Sequence, residues 1–374
     1  MKSSSPLISI LISTKNHAAY LQQCLASLQR QTFKDFEVLV FDDGSNDETP
    51  MLLDEISRYD QRFSFFREEQ SVGCLIRFNQ LFRLASGGLI WGVGSDDFCH
   101  DPYFLSKGVQ GLKDHPDAAG FFSATIALHM PSERKGKIWG PGGPDRLISA
   151  NGMMQSFFAN QEASPGPSCV LKSHFFKKEQ GLDLSLGPQS DYFINNLAGG
   201  TNGFFYMSNP AVTFRVWDDA ASFSASQSVF LNVRRLAIVE GKLRSQLPSR
   251  FSVDSRWLFW RNYQLISLFN LTHRLHLLRL SLLDFILIKY KRQDLFLDLM
   301  SLIDQYTTSF NEARQTDGLH VLSPLQNRRV FTSLVFSFCR RKFCGFFSRI
   351  ANSTTKRLLG RDYVDIKRLI FYVR

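Results

Sequence analysis

The sequence FEVLVFDDGSND, residues 36–47, predicts a buried strand that ends abruptly in an acidic turn. Its first half, Phe36–Phe41, is a short and mostly apolar run, which favours a strand covered on both faces. Asp42-Asp43-Gly44-Ser45 follows at once and supplies turn-forming residues. Carboxylates placed there are not needed for folding, and burying them without a partner is costly. This strand end is therefore the first indication of a ligand site.

Strands and helices alternate on both sides of this stretch. Further strands are predicted at Leu7–Ser13, 63–66, Leu89–Val93 and 120–128, and helices at about 17–31, 49–59, 75–85 and 102–113. The first helix has apolar residues at i, i+3, i+4 and i+7, namely Leu21, Cys24, Leu25 and Leu28. The alternation predicts βαβ units, and hence an α/β fold with a mostly parallel sheet and helices on both faces.

A second acidic pair, Asp96-Asp97, follows the strand at Leu89–Val93. Ligands of parallel sheets bind at the carboxyl ends of strands, where both pairs are expected. Adjacent carboxylates repel one another unless a cation or hydroxyl groups lie between them, and a hard divalent cation can carry phosphate oxygens. The pairs predict a site for a phosphorylated, hydroxyl-rich ligand such as a nucleotide. The alternative is structural: Asp-Asp-Gly-Ser is a common turn, and Ser45 or Asp47 could cap a helix.

Charge divides the chain into two parts. The 374 residues include 44 Lys and Arg and 34 Asp and Glu, a net charge of +10. Residues 1–230 hold 19 basic and 24 acidic groups, whereas residues 231–374 hold 25 basic and 10 acidic groups. We predict a first domain at 1–227, whose nucleotide-binding half is 1–130, and a helical, basic region at 228–374. Residues 130–150, rich in Gly, Pro and charge, predict a loop, and residues 151–225 predict short helices between turns.

Several classes of protein are excluded by what the sequence lacks. A composition of 44% hydrophobic and 21% charged residues excludes a disordered chain, and the six cysteines form no C-x-x-C pair. No glycine-rich turn follows the first strand and no P-loop sequence is present, which argues against both dinucleotide and P-loop sites. No run of about 18 apolar residues exists, so we expect a cytoplasmic protein without a spanning helix.

Motifs across residues 5–130 occur in one order and spacing. They are Ser9–Ser13 with Asn16, Gln31-Thr32-Phe33, Asp35-Phe36-Glu37, Val40–Ser45 with Asp47, Gly73 with Asn79, Ala85 with Gly87, and Ser95-Asp96-Asp97. Together they resemble the catalytic domain of family 2 glycosyltransferases, of the bacterial cell-surface polysaccharide type, which have the GT-A fold. A looser match, Gly181–Asp191 and Phe214-Arg215, resembles the family's acceptor-side region and would make residues 131–227 the acceptor-side half.

The resemblance implies a role for each matching position. Ser13 would lie beside the nucleotide, Asp43 would accept a hydrogen bond from the base, and Asp96 would hold the ribose. Asp97, at the place of the family's D-x-D-type motif, would bind Mg²⁺ or Mn²⁺ bridging the diphosphate. Asp191 would be the catalytic base that takes a proton from the acceptor hydroxyl, which gives inversion in a single displacement.

The implied activity is that of a metal-dependent, inverting, hexosyltransferase-like enzyme. It would move a sugar from a nucleoside-diphosphate donor, with UDP-sugars expected first, to a hydroxyl of a glycan or lipid-linked glycan acceptor. The functional alternative is a non-catalytic protein that binds a nucleotide or glycan and works through its basic arm on a membrane or nucleic acid. Nucleic acid is the less expected of these partners.

Three positions depart from the family pattern. Phe78 stands where the family often has Arg, so Arg77 is a candidate nucleotide contact one residue early, or else a solvated helix residue. Trp217 stands where many relatives have His, which leaves open how the metal site is completed. Ser190-Asp191 replaces the usual Glu-Asp, and a helix-capping role for Asp191 is the alternative to catalysis.

The last 47 residues form a basic arm, residues 328–374, with 12 basic and two acidic groups interleaved with Phe and Leu. Basic residues mixed with large apolar ones favour the surface of an anionic membrane. We therefore predict a peripheral protein on the inner face of the plasma membrane. The alternative is a helical extension that packs its Phe face on the core and leaves its charges in solvent.

Overall fold

The structure of the chain is a computed structural model that describes residues 5–159, 165–217 and 229–251. These ranges belong to one compact unit, residues 1–262. Most of the predicted C-terminal region, including the basic arm, lies outside the described residues. The domain boundary between residues 227 and 228 stays a prediction.

Strands and helices alternate through the first half of the described chain. The strands are β1 (Ile8–Thr14), β2 (Phe36–Asp42), β3 (Phe63–Arg67), β4 (Leu89–Gly92), β5 (Phe98–Cys99), β6 (Gly120–His129), β7 (Arg134–Trp139), β8 (Arg146–Ile148), β9 (Val170–Lys172) and β10 (Phe204–Val216). The helices are α1 (Ala18–Gln29), α2 (Thr49–Tyr59), α3 (Cys74–Leu84), α4 (Phe104–Asp114), α5 (Ala150–Ala159), α6 (Ser173–Glu179), α7 (Ser190–Asn202) and α8 (Val229–Gln246). Short 3₁₀ turns lie at Leu184–Gln189 and Pro248–Arg250.

One sheet joins these strands in the order β3-β2-β1-β4-β9-β6-β10-β5, with β7 paired to β6 and β8 paired to β10. β1 pairs in parallel with β2 and β4, β2 with β3, and β6 with β10. β5, β7, β8 and β9 are paired antiparallel to their neighbours. The predicted α/β fold with a mostly parallel sheet is confirmed.

The central strand β1 is apolar because it is covered on both faces. Ile10, Leu11 and Ile12 have almost no exposed surface. α1 buries the apolar face that its periodicity predicted, made of Leu21, Cys24, Leu25 and Leu28. Each such burial stabilises the fold by about 1.5–3 kcal/mol. The residues at the ends of the central strands are therefore attached to a well-packed core.

Residues 130–150, predicted to be a loop, contain two strands. β7 pairs with β6 and β8 pairs with β10, both in antiparallel register. β7 is exposed along its length apart from the half-buried Gly136. Its sequence RKGKIW therefore carries no apolar alternation from which a strand could be predicted. Backbone pairing, rather than side-chain burial, gives this segment its strand geometry.

The long strand β10 was also not predicted. The sequence of residues 151–225 indicated only short helices and turns. A register shift between Met207 and Val212 interrupts its pairing with β6, and Pro210 lies inside the shift. Proline inside a strand normally argues against a strand, and here it sits at the irregularity. In the part of the chain that the structure describes, no helix is both long and apolar enough to cross a membrane.

Candidate functional site

The loops that follow β1 and β2 are bonded to each other. The Ser45 hydroxyl accepts a hydrogen bond from the Asn16 amide at 2.9 Å. The Asp47 carboxylate accepts hydrogen bonds from the amides of Ala18 and Thr49, each at 3.0 Å. Those amides begin α1 and α2, so Asp47 caps both helices, as the structural alternative predicted. These contacts fix the two loop tips beside the acidic strand end.

The Asp43 carboxylate is buried and accepts four hydrogen bonds from the chain. Oδ1 accepts from the Val72 amide at 2.9 Å and from Arg77 Nε at 2.6 Å. Oδ2 accepts from the Ser71 hydroxyl at 2.7 Å and from the Gly73 amide at 2.9 Å. Burial alone would raise the pKa of Asp43, but these hydrogen bonds outweigh it and hold the pKa at about 2. Asp43 is therefore ionised at neutral pH.

Arg77 is the buried partner of Asp43 rather than a solvated helix residue. Its side chain is 1% exposed, and its guanidinium carbon lies 4.4 Å from the centre of the Phe41 ring. Nη1 donates to Glu68 at 2.7 Å and Nη2 donates to the Gln70 carbonyl at 2.6 Å. The alternative of a solvated Arg77 is therefore wrong. A direct contact between Arg77 and a nucleotide stays a prediction.

The carboxylates of Asp96 and Asp97 are fixed by the end of β10. The Arg215 amide donates to Asp97 Oδ1 at 3.0 Å, and Trp217 Nε1 donates to Asp96 Oδ2 at 2.9 Å. The Arg215 guanidinium also donates to the backbone carbonyl of Asp96. Trp217 thus holds Asp96 by a hydrogen bond.

Arg215 and Trp217 are the functional neighbours whose roles the sequence did not predict. The Arg215 guanidinium carbon lies 4.7 Å from the centre of the Tyr20 ring and 5.3 Å from that of Phe98. The Tyr20 and Trp217 rings meet edge to face with 5.2 Å between their centres. Arg215 and Trp217 are two residues apart, and side chains at this spacing along a strand share a face. This spacing could have indicated that the two side chains act at one site. It could not be used while β10 itself was unrecognised.

Asp97 carries the charge that costs most to maintain in this site. Burial first, and then the charge of Asp96, raise the pKa of Asp97 to about 8, although a hydrogen bond from Arg215 opposes the shift. A divalent cation beside the two carboxylates would remove this repulsion. Asp97 is 8% exposed, so its carboxyl group is close to the protein interior.

Gly94 leaves room beside both carboxylates. A Cβ atom at Gly94 would lie 2.7 Å from Asp97 Oδ2 and 3.2 Å from Asp96 Oδ1, so the two oxygens converge on one small space. Among the described residues, no group of three or more His, Cys, Asp or Glu side chains could hold a metal ion. Two carboxylates completed by substrate phosphates are nevertheless a usual way of holding Mg²⁺. The residues present therefore fit a cation that a diphosphate completes.

The two acidic strand ends lie at the same edge of the sheet. β1 is flanked by β2, which leads to Asp43, and by β4, which precedes Asp96 and Asp97. Two strand spacings separate β2 from β4, a distance of about 10 Å that one nucleoside diphosphate can span. Ser13 lies between them at the end of β1, half-buried and in register with Phe41.

Asp191 lies in the first turn of α7, where its Oδ1 accepts a hydrogen bond from the Tyr192 amide at 2.7 Å. The residue keeps exposed surface, yet enough protein surrounds its carboxyl group that desolvation raises its pKa. Cys74 keeps exposed surface, yet desolvation by the surrounding protein raises the pKa of its thiol, and the charges of Asp43 and Asp191 both add to the shift. Asp191 and Asp43 therefore lie within electrostatic reach of one thiol.

The fold and the acidic edge define an α/β domain of the GT-A type. The S. aureus TarS fragment 1–349, solved in complex with UDP, has a similar fold with a TM-score of 0.51 and 16% sequence identity, over 87% of this chain and 88% of that one. Residues 9–149 match the family model described as "Glycosyl transferase family 2". This part of the chain is therefore similar to family 2 glycosyltransferases, in agreement with the resemblance that its motifs carry.

Curated relatives match over the same region. The putative glycosyltransferase EpsH of Bacillus subtilis is 31% identical over 99 residues, which are 26% of this chain and 28% of EpsH. The uncharacterized glycosyltransferase MJ1057 of Methanocaldococcus jannaschii is 25% identical over 189 residues, 50% of this chain and 62% of that protein. The match to each thus spans less than two thirds of the relative's length.

Proposed function

We propose that this protein transfers a sugar from a nucleoside-diphosphate donor to a hydroxyl group of an acceptor, with inversion at the sugar. The observation that carries the proposal is the pair of acidic strand ends, with Asp43 after β2 and Asp96-Asp97 after β4, on either side of β1. One edge of the sheet thus offers acceptors for a base and a ribose together with carboxylates for a cation. The non-catalytic alternative gains no support from the relatives, which are named as glycosyltransferases.

The nucleoside would lie against Ser13, Asp43 and Asp96. Asp43 already accepts four hydrogen bonds, so a base N–H must replace one of its present donors. The Ser71 hydroxyl is the donor that can rotate away at least cost, because the others are backbone amides and a buried guanidinium. Base recognition would then exchange one hydrogen bond for another and leave the Asp43 charge satisfied.

The diphosphate would lie over Asp97, which with Asp96 fits a divalent cation. When bound, Mg²⁺ or Mn²⁺ would neutralise the charge that develops on the departing nucleoside diphosphate. The chain itself keeps the two carboxylates in place through Trp217 and the Arg215 amide. These contacts remove the need to reorganise the site when the donor binds.

Asp191 would accept the proton of the attacking hydroxyl. Desolvation raises its pKa above the usual range of an aspartate, which brings it nearer to the value that suits a general base at neutral pH. The raised pKa also means that Asp191 holds a proton more readily once the acceptor oxygen has lost it. The first turn of α7 keeps the carboxylate in one orientation through the Tyr192 amide.

A UDP-sugar is the first donor to test, because the TarS fragment was solved with UDP. The acceptor would be a glycan or lipid-linked glycan. The basic arm at 328–374, with its 12 basic residues, supports docking of the chain on the inner face of the plasma membrane.

A donor screen tests the function. The full chain would be incubated with UDP-, GDP- and dTDP-sugars with and without Mn²⁺, while thermal stabilisation and release of nucleoside diphosphate are both measured. We expect one base to stabilise the protein in a Mn²⁺-dependent way and its sugar nucleotide to be turned over. The variant Asp191→Asn should keep the stabilisation and lose the turnover. Absence of stabilisation by all three nucleotides would contradict the proposal.

A further inference from the structure

The side-chain amide of Asn79 joins α3 to the segment that leads into α7. Asn79 Nδ2 donates to the Leu182 carbonyl at 2.8 Å, and Asn79 Oδ1 accepts from the Leu182 amide at 2.7 Å. Asn79 is 7% exposed and Leu182 is 8% exposed, so the contact is shielded from water. One carboxamide thus satisfies both backbone groups of a residue more than a hundred positions away in sequence.

The neighbouring Gly181 shows how closely the two segments approach. It has a φ of +106°, and a Cβ atom there would lie 2.4 Å from Asn79 Oδ1. Only glycine allows both that conformation and that distance. Next to Asn79 on α3, Phe78 packs on Phe176 of α6, with 5.8 Å between the ring centres. The amide contact is therefore the polar part of a tight junction.

A short bonded turn connects this junction to Asp191. The Ser190 hydroxyl lies 2.6 Å from the carbonyl oxygens of both Asp183 and Gly187, which closes the 3₁₀ turn at Leu184–Gln189. Ser190 is 1% exposed and is the first residue of α7, directly before Asp191. The backbone directly before Asp191 is thus tied to Asp183, which follows the residue that Asn79 holds.

We propose that Asn79 is a positioning residue for Asp191, an inference that rests on the proposed function. Arg77 precedes Asn79 by two residues and holds Asp43. α3 therefore holds Asp43, the proposed nucleotide contact, through Arg77. Through Asn79 it holds the segment that leads to Asp191, the proposed base. Misplacing a reacting group by about 1 Å can lower a rate about a hundredfold, so a loosened junction should affect transfer more than donor binding.

Two substitutions of matched burial test the inference. Asn79→Leu removes both hydrogen bonds to Leu182. Asn195→Leu removes a hydrogen bond of 3.0 Å to the Pro165 carbonyl, from an α7 residue that is also 7% exposed. We expect Asn79→Leu to lower kcat for transfer by about 10- to 100-fold while the Kd of UDP changes by less than about threefold. Asn195→Leu should leave kcat within about threefold of the parent value, although its loss in Tm is comparable to that of Asn79→Leu. Equal losses of kcat in both variants would overturn the inference.

A double-variant cycle covers the case in which Asn79→Leu does not fold. Asn79→Asp keeps the acceptor for the Leu182 amide and, when ionised, replaces the donor with a carboxylate oxygen that repels the Leu182 carbonyl. If Asn79 acts through Asp191, adding Asn79→Asp to Asp191→Asn should leave the residual transfer rate within about twofold. The inference fails if Asn79→Asp lowers the rate by the same factor in both backgrounds. If Asp191→Asn transfers sugar at the normal rate, the proposed catalytic base is wrong, which is a separate outcome.

Discussion

Arg77 Nε lies 2.6 Å from Asp43 Oδ1 in an ion pair whose side chains are 1% and 4% exposed. The pair orders the turn at residues 68–73, because Arg77 also binds Glu68 and the Gln70 carbonyl. Breaking a buried pair by removing one partner leaves an uncompensated charge in the interior. The part of the candidate site that contains Asp43 therefore also stabilises the fold.

Replacing Arg77 with Met should lower the free energy of unfolding by about 3–5 kcal/mol at pH 7, since Asp43 then stays buried without its cation. Chemical denaturation measures the change. Arg83→Met is the matched control, because Arg83 is exposed on the same helix. The double variant Arg77→Met, Asp43→Asn should recover part of the loss, and a double variant no more stable than Arg77→Met would show that the charge is not the cause.

Replacing Asp97 with Asn should stabilise the metal-free protein more at pH 8.5 than at pH 5. The pKa of Asp97 is raised to about 8 in the fold, so ionisation of this group opposes folding. The penalty is absent below the unfolded pKa near 4, grows as the pH rises, and is complete above about 8. Thermal unfolding in EDTA checks the prediction, with the exposed Asp117→Asn as the control. A pH-independent difference between Asp97→Asn and the parent would contradict it.

Transfer by the parent protein should decline on the acid side at a pH above the usual aspartate range. The pKa of Asp191 is raised by desolvation, and the base is useful only when ionised. A profile of kcat against pH at saturating donor measures this decline, which is the acid limb of the profile. Asp191→Asn should lower kcat by about 10²- to 10⁴-fold and abolish the limb. Persistence of the limb in Asp191→Asn would assign it to another group.

Replacing Trp217 with Phe should weaken UDP binding by about fivefold, because Asp96 loses a hydrogen bond worth about 1 kcal/mol while the aromatic contact with Tyr20 remains. Calorimetric titration provides the measurement. Trp139→Phe is the control, since Trp139 lies exposed on β7. Equal UDP affinity in Trp217→Phe and the parent protein would show that Trp217 does not contribute to UDP binding.

Replacing Arg340, Arg341 and Lys342 of the basic arm with Gln should weaken binding to vesicles that contain anionic lipid by about a hundredfold, at about 1 kcal/mol per charge. Flotation of the full chain with such vesicles tests this. The matched control replaces the three basic residues of β7, Arg134, Lys135 and Lys137, which are exposed in the structure. If the β7 variant loses flotation and the arm variant does not, the membrane contact lies on the first domain.

The sequence predicts the first half of the fold because each strand there is buried and each helix is amphipathic. The burial pattern of β1 and α1 follows directly from their apolar residues. β7 was not predicted because it is exposed on both faces. β10 was not predicted because a proline lies at its register shift. Pattern recognition thus fails for β7, where pairing of the backbone rather than burial makes the strand, and for β10, where a proline interrupts a largely buried strand.

The acidic residues of the site follow strands and could be found from sequence, but their partners could not. Arg215 lies near the end of β10 and Trp217 directly follows that strand, more than a hundred residues from Asp96 and Asp97. The burial of Arg77 likewise depends on Asp43 and Glu68, which come from other elements. Contacts between distant segments are set by the tertiary fold, and the local sequence carries no signal for them.

Calorimetric titration of UDP in Mn²⁺ tests most directly whether one nucleotide spans the ends of β2 and β4. We expect Asp43→Asn and Asp97→Asn each to raise the Kd of UDP at least about tenfold, and only Asp97→Asn to abolish the effect of Mn²⁺. An unchanged Kd in either variant, with the parent protein binding UDP normally, would show that the two strand ends do not share a ligand.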